Sequence, residues 1–306
     1  MNKKFQKISN FRVDYAMEDP TRPDETDWYE KNSWLTSVEE FDMNGNLVKT
    51  ISFNPGGDIS EHYQYKFDER NNMTEELIYF DEQTVVEHHI LLYDASDKRI
   101  QEKIIYEEGG EIIVEYTYDE HGNMVQRMQK DSDGEVEELE KFEYDHGKII
   151  RTYLYDGENL EMNRREYAYN DHGKLIKFSF FSADPDTNYV TENFYDEKGV
   201  REKTLKYNAK NQLIEKTIYT TDDTDKVIEI YEEDVRSVKK TCFTHDEKNN
   251  IVKQEEFNKD DELILSIERT FIDDGVLAEA LVFMQDPAEN IRSMYASKYE
   301  YEFYEE

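Results

Sequence analysis

Hydrophobic and polar residues alternate with a period of two along most of the chain, in short stretches separated by polar turns. Tyr63, Tyr65 and Phe67 fall on one side of such a stretch, and Gln64 and Lys66 fall on the other. A period of two is typical of a half-buried β-strand. No stretch keeps a helical period, so the pattern predicts an all-β protein.

The turns recur at a nearly constant spacing. The aromatic residue before each Asp-rich or Asn-rich turn advances in steps of 26, 26, 25, 26, 25 and 26 residues. These residues are Phe41, Phe67, Tyr93, Tyr118, Tyr144, Tyr169 and Tyr195. A second turn lies near the middle of each period, as at 54–58 and 131–135. The unit is therefore a two-strand repeat of about 25 residues, and later copies drift but continue through 286–290.

This arrangement predicts one long antiparallel meander. Gly and Asn in the turns supply the positive φ that tight hairpins need, and no helices are present to make parallel crossovers. Counting the turns gives about 21 strands. Because open twisted sheets seldom exceed about ten strands, we expect the sheet to curl with its aromatic face inward. A spiral, an open shell and a large barrel all satisfy this expectation.

Residues 1–38 fall outside the repeat and contain both tryptophans, Trp28 and Trp34. A repeat array needs its open edge covered. We therefore expect residues 1–38 to form an N-terminal cap, and residues 39–306 to form a single continuous hairpin array.

The repeat resembles a known family. A strand that ends in Tyr-Asp, followed by a turn with Gly-Asn, is similar to the YD repeat of Rhs-type bacterial toxins and teneurins. The best copies are 41–46, 118–123 and 195–199. Residues 195–219 also look like the MORN-variant repeats of bacterial antitoxin components. The likeness covers about residues 39–283 and implies a β-hairpin array. Rhs shells are far longer and enclose a toxin domain, so for this chain the resemblance implies a stand-alone partner that neutralises a toxin.

Charge and composition restrict the partners. With 37 Lys+Arg against 72 Asp+Glu the formal charge is −35, which repels nucleic acid and anionic membranes and favours a soluble monomer. Aromatic residues make up 13% of the chain, which argues for ordered β structure rather than disorder. The single cysteine, Cys242, and the lack of any long apolar run lead us to expect a cytoplasmic protein without disulfides.

The residues that could serve catalysis or metal binding are better explained by structural roles. His121, His146 and His172 recur beside turn glycines, but equivalent turns lie about 10 Å apart, too far for one metal ion. His88 and His89 are adjacent in a strand and must face opposite sides. Residues 131–135 fall short of a calcium loop, because the glycine comes early and strands flank it.

Sequence motifs for nucleotide, zinc or nucleophile chemistry are missing. We therefore expect no catalytic residues, no cofactor and no metal, and we interpret Cys242 as a packed thiol. The chain is expected not to be an enzyme.

Acidic runs and exposed aromatic residues are the candidate binding elements, because carboxylates attract a cationic partner and aromatic side chains anchor it. The predicted partner-binding residues are Trp28, Trp34, Glu135, Glu137, Glu138, Asp222, Asp223, Asp225, Glu232 and Glu233. The expected function is a non-enzymatic protein-binding scaffold, most specifically an immunity or antitoxin protein that occludes a basic toxin domain. The alternatives are a cell-surface or secreted structural repeat protein and a β protein that binds carbohydrate or another small ligand.

Overall fold

The fold is built from strands. The computed structural model describes residues 4–17, 28–272, 275–289 and 291–305. The strands are β1 (Phe5–Met17), β2 (Trp28–Phe41), β3 (Leu47–Phe53), β4 (Ile59–Phe67), β5 (Met73–Tyr79), β6 (Val85–Tyr93), β7 (Arg99–Tyr106), β8 (Glu111–Tyr118), β9 (Met124–Lys130), β10 (Val136–Asp145), β11 (Lys148–Asp156), β12 (Glu161–Tyr169), β13 (Leu175–Ser182), β14 (Tyr189–Tyr195), β15 (Arg201–Asn208), β16 (Leu213–Thr221), β17 (Val227–Asp234), β18 (Val238–His245), β19 (Ile251–Phe257), β20 (Leu263–Phe271), β21 (Leu277–Asp286) and β22 (Ile291–Phe303). One 3-10 turn, Pro185–Thr187, lies between β13 and β14. Among the described residues, no helix is long and apolar enough to cross a membrane.

Every strand pairs antiparallel with its neighbours in sequence, and β1 also pairs with β22. The sheet is therefore a closed 22-stranded barrel, which confirms the all-β meander and selects the large barrel from the three predicted forms. The count is one strand above the predicted 21. Residues 5–17 of the predicted cap segment form β1, which covers the edge of β22 by joining the sheet.

The barrel is a thin-walled shell. Its accessible surface is 19524 Å² for 36.7 kDa. A compact protein of that mass would expose about 13,500 Å². About eight strands enclose a barrel that side chains can fill, whereas 22 leave a lumen. The large apolar core of a globular domain is correspondingly absent from the described residues, whose buried apolar side chains are Val13, Leu91, Val114, Val282 and Ala296.

The two residues of each Tyr-Asp pair have different structural roles. At the end of β8, the carboxylate of Asp119 accepts hydrogen bonds from the backbone N–H of His121 at 2.9 Å and of Asn123 at 2.8 Å. The Tyr118 hydroxyl donates to the Arg99 carbonyl on β7 at 2.8 Å. The same hydroxyl-to-carbonyl bond is made by Tyr93, Tyr144, Tyr169 and Tyr195. Asp therefore turns the chain, and Tyr ties the strand to the one before it.

The Tyr-Asp turns are followed by β-bulges. Tyr118 pairs with Met124 but Thr117 pairs with Gln126, so Val125 is an extra residue in the ladder. The same register shift occurs at all ten hairpins whose turns lie on this rim of the barrel, from β2–β3 to β20–β21. Bulges bend a strand and increase its twist. Their regular repetition curves the meander so that its two ends meet.

We expect Tyr118→Phe to lower the free energy of unfolding by about 1 kcal/mol, because it removes one hydroxyl-to-carbonyl bond and leaves the ring in place. Urea unfolding measures the change. Tyr29→Phe is the matched control, since Tyr29 is 49% exposed. Equal stability of the two variants would contradict a tying role for the tyrosine hydroxyl.

Candidate functional site

The barrel has two rims that differ in their turns. The Tyr-Asp rim carries the turns from 42–46 to the connection between β20 and β21, and the opposite rim carries those from 54–58 to the connection between β21 and β22. The predicted partner-binding residues are divided between them. Asp222, Asp223 and Asp225 lie on the Tyr-Asp rim, and the other acidic residues of the predicted set lie at or near the opposite rim. The fold therefore does not gather the predicted set into one patch.

Several of the predicted carboxylates are already engaged. Glu138 accepts from Arg127 at 2.7 Å, and Glu232 lies 2.9 Å from the Lys239 ammonium. Asp225 accepts from Lys198 at 2.8 Å. Such paired carboxylates offer less charge to a partner than unpaired ones.

Two further acidic residues of the set are also held in place. Glu233 lies 3.7 Å from Lys216. The side chain and backbone of Thr224 donate to Asp222, which holds the pKa of that carboxyl below its usual range. Asp222 therefore belongs to its own turn, and Asp223 beside it is exposed.

The opposite rim between β9 and β12 combines acidic and apolar residues. Glu135 lies at the end of the turn between β9 and β10, Glu137 lies at the start of β10, and Glu158 lies in the turn between β11 and β12. All three side chains are exposed. Leu160 and Met162 follow with 58% and 46% of their surface exposed. We call these five residues the acidic rim patch. Large apolar side chains surrounded by charge are typical of protein-binding surfaces.

The two turns of the acidic rim patch touch each other. A Cβ atom added at Gly157 would lie 2.5 Å from the Val136 carbonyl oxygen. Within the described residues, no Lys or Arg lies within ion-pair distance of Glu135, Glu137 or Glu158. The patch is therefore continuous and keeps its negative charge. The sequence identified Glu135 and Glu137 but missed Glu158, Leu160 and Met162, which belong to the following hairpin.

Both tryptophans lie at the seam where β1 joins the ends of the sheet. Trp28 contacts the ring of Phe283 edge-on at 6.3 Å, across β1 and β22. On the other side of the sheet the Arg12 guanidinium lies 3.8 Å from the centre of the Tyr295 ring and 5.8 Å from that of Trp34. The structure thus gives Trp28 and Trp34 packing partners within the wall.

A charged cluster in the wall was not predicted as a site. His89 on β6 lies 2.9 Å from Glu102 on β7 and 3.3 Å from Glu87. Glu102 also accepts from the Tyr116 hydroxyl at 2.9 Å and from Arg99 at 3.2 Å. The hydrogen bond from His89 is the main reason that the pKa of Glu102 falls to about 2, and the same contact raises the pKa of His89.

The remaining histidines and the cysteine have structural surroundings. His88 faces the other side of the sheet from His89 and contacts Glu75 at 3.0 Å, as the alternation predicted. His62 stacks on Tyr79 at 4.3 Å between ring centres. Burial raises the pKa of the Cys242 thiol, as expected for a packed thiol. Over the part of the chain that the structure describes, no three His, Cys, Asp or Glu side chains are arranged to hold a metal ion.

The turn at 131–135 is a plain hairpin turn, as predicted. The Asp131 carboxylate accepts from the backbone N–H of Asp133 at 3.0 Å and of Glu135 at 2.9 Å. One carboxylate oxygen, Oδ1, is therefore used by the turn itself, and Gly134 takes the positive φ of 83° that the turn requires.

Comparison with known proteins gives distant structural similarities. No family model matches the chain, and no curated protein matches it. The crystal structure of TcdB2-TccC3-Cdc42 is similar over 86% of this chain and 15% of that chain, with 16% identity and a TM-score of 0.43. The Tc holotoxin pore of Photorhabdus luminescens is similar over 93% and 17%, with 14% identity and a TM-score of 0.41. A porin-like protein from Bacteroides uniformis is similar over 97% and 96%, with 10% identity and a TM-score of 0.32. This chain thus spans less than a fifth of the first two proteins.

Proposed function

We propose that this protein is a non-enzymatic, cytoplasmic scaffold that binds a basic protein partner through the acidic rim patch. The partner we favour is a toxin domain, which the scaffold neutralises by occlusion. The observation that carries the proposal is the patch itself, in which three carboxylates without basic partners share two touching turns with the exposed Leu160 and Met162.

Electrostatics supports a cationic partner. The net charge of −35 creates a field that attracts a basic protein from a distance and accelerates its association. Once the partner has docked, the apolar residues of the patch become buried against it. Such buried apolar anchors supply most of the binding energy. A toxin whose active site binds an anionic substrate has a positively charged surface that complements the patch. The resemblance of the repeat to YD and antitoxin-type repeats supports the choice of a toxin as partner.

The test is charge reversal of the patch. If a neighbouring gene encodes a basic protein that the wild type captures in a pull-down at low salt, we expect the triple variant Glu135→Lys, Glu137→Lys and Glu158→Lys to lose that capture. The control variant carries Glu69→Lys, Glu197→Lys and Glu247→Lys, three exposed positions on the Tyr-Asp rim with the same change in net charge. We expect this control to retain capture.

Growth rescue tests the toxin-neutralising form of the proposal. Co-expression of the wild-type chain with the neighbouring gene should restore growth, and the patch variant should not. A neighbouring gene that is harmless alone would overturn the immunity proposal. Equal loss of capture in the two triple variants would overturn the patch as the binding surface and leave only net charge.

A further inference from the structure

The wall of the barrel is irregular at β13 and β14. These strands pair at only four positions, from Lys177–Glu192 to Phe180–Tyr189. Residues 183–188, which include the 3-10 turn, join them in place of a tight hairpin turn. A cavity of about 320 Å³ opens beside this irregularity, and its lining includes Phe178, Tyr189, Asn193, Thr204, Lys206 and Glu215.

Aromatic rings form one side of the cavity. Phe178 lies 5.2 Å from Tyr167 and 5.8 Å from Tyr189, measured between ring centres. Phe180 stacks on Tyr189 at 5.3 Å. Phe178 and Tyr189 belong to the cavity lining, so a group of contacting rings supports the aromatic surface that a ligand would meet.

Polar side chains held by hydrogen bonds form the rest of the cavity lining. Asn193 is 8% exposed, its amide oxygen accepts from the Thr204 hydroxyl at 2.9 Å, and its amide nitrogen donates to the Leu175 carbonyl at 3.1 Å. Lys206 donates to Glu215 at 3.3 Å. The shape of the cavity is therefore set before any ligand arrives, which reduces the entropy cost of binding.

The mixture of groups selects the ligand class. A sugar ring has an apolar C–H face that stacks on an aromatic ring and hydroxyl groups that bond to carboxylate, ammonium and hydroxyl side chains. A cationic ligand suits the site less, because the Lys206 ammonium already lies 4.8 Å from the centre of the Tyr189 ring and pairs with Glu215. We propose that this cavity binds a neutral sugar ring that stacks on Phe178, with Tyr189 as the second aromatic residue of the lining and Lys206 and Glu215 as hydrogen-bond partners. Its volume, at the low end of the usual range for ligand sites, fits one or two rings.

A neutral-glycan array followed by titration calorimetry with the best disaccharide tests the proposal. We expect wild-type binding with a Kd of about 1 mM or tighter, and at least a tenfold weaker Kd for Tyr189→Ala and for Glu215→Gln. Tyr29→Ala, which removes an exposed aromatic residue outside the cavity, should bind like the wild type. Thermal unfolding of each variant checks that the fold persists.

Two results would overturn the inference: absence of wild-type binding to any neutral glycan on the array, or a Tyr189→Ala affinity equal to that of Tyr29→Ala. A lysine-rich peptide that binds here and is lost with Tyr189→Ala would instead assign the cavity to a cation. The acidic rim patch uses different residues, so its reversal should leave sugar binding unchanged.

Discussion

Val13→Asp is expected to open the barrel. Val13 lies on β1 between Ser33 on β2 and Ala296 on β22, and Val13 and Ala296 are 3% and 0% exposed. A carboxylate at this position would lose its hydration, which costs several kcal/mol. Since the whole stability of a domain is only about 5 to 15 kcal/mol, we expect most of it to be lost.

The effect should be concentrated at the seam. Only β1 joins β2 to β22, so its release exposes two strand edges at once. Unpaired edges are templates for association between molecules. We therefore expect Val13→Asp to aggregate at concentrations where the wild type does not, and hydrogen exchange to be fastest in β1 and β22.

Val235→Asp is the matched control, because Val235 is 83% exposed in the turn between β17 and β18. Urea unfolding and hydrogen exchange should show wild-type behaviour for this variant. Equal midpoints for the two variants would contradict the seam as the element that closes the barrel.

The sequence predicted the repeat because each strand and turn is specified locally. Period-two alternation, the Tyr-Asp pair and the turn glycines all act within one hairpin, so the class, the repeat length and nearly the right number of strands follow from them. Closure of the ring depends instead on the pairing of β1 with β22, which are almost the whole chain apart. Residues 5–17 alternate like a strand but contain no Tyr-Asp turn, so their position in the sheet could not be derived from the turn spacing.

The candidate sites were predicted only in part, because residues that meet on neighbouring hairpins are distant in the sequence. Glu135 and Glu137 stand in a visible acidic run, but Leu160 joins them only because successive hairpins lie side by side. His89 and Glu102 are 13 residues apart, which is about half of the two-strand repeat, and this spacing brings residues of adjacent strands within diagonal reach. A search for opposite charges at that interval would have found the cluster.

Glu102→Gln is expected to remove a pH-dependent share of the stability. The pKa of Glu102 is lowered to about 2 from 4.5, so its contribution is present above about pH 4.5 and is lost as the pH falls toward 2. The pKa of His89 is raised, so its contribution is present below about pH 6.5 and is lost as the pH rises through the folded value. The cluster therefore stabilises most between these limits.

The expected magnitude is roughly 3 kcal/mol near pH 5.5, since each unit of pKa shift corresponds to about 1.4 kcal/mol and the Glu102 side chain is only 15% exposed. Acid also relieves the mutual repulsion of the other carboxylates, which raises stability as the pH falls. The difference between wild type and variant isolates the cluster from that general effect.

Urea unfolding of wild type, Glu102→Gln and the control Glu120→Gln, from about pH 3 to about pH 8, measures this difference. Glu120 is 88% exposed, so its variant should follow the wild-type curve. For Glu102→Gln we expect a loss in the free energy of unfolding that is largest between about pH 4.5 and 6.5 and shrinks on both sides. In this variant His89 loses its main hydrogen-bond partner, whereas Arg99 and Tyr116 still contact each other. A difference that stays constant across the range would show that the carboxylate acts by packing alone and not through its charge.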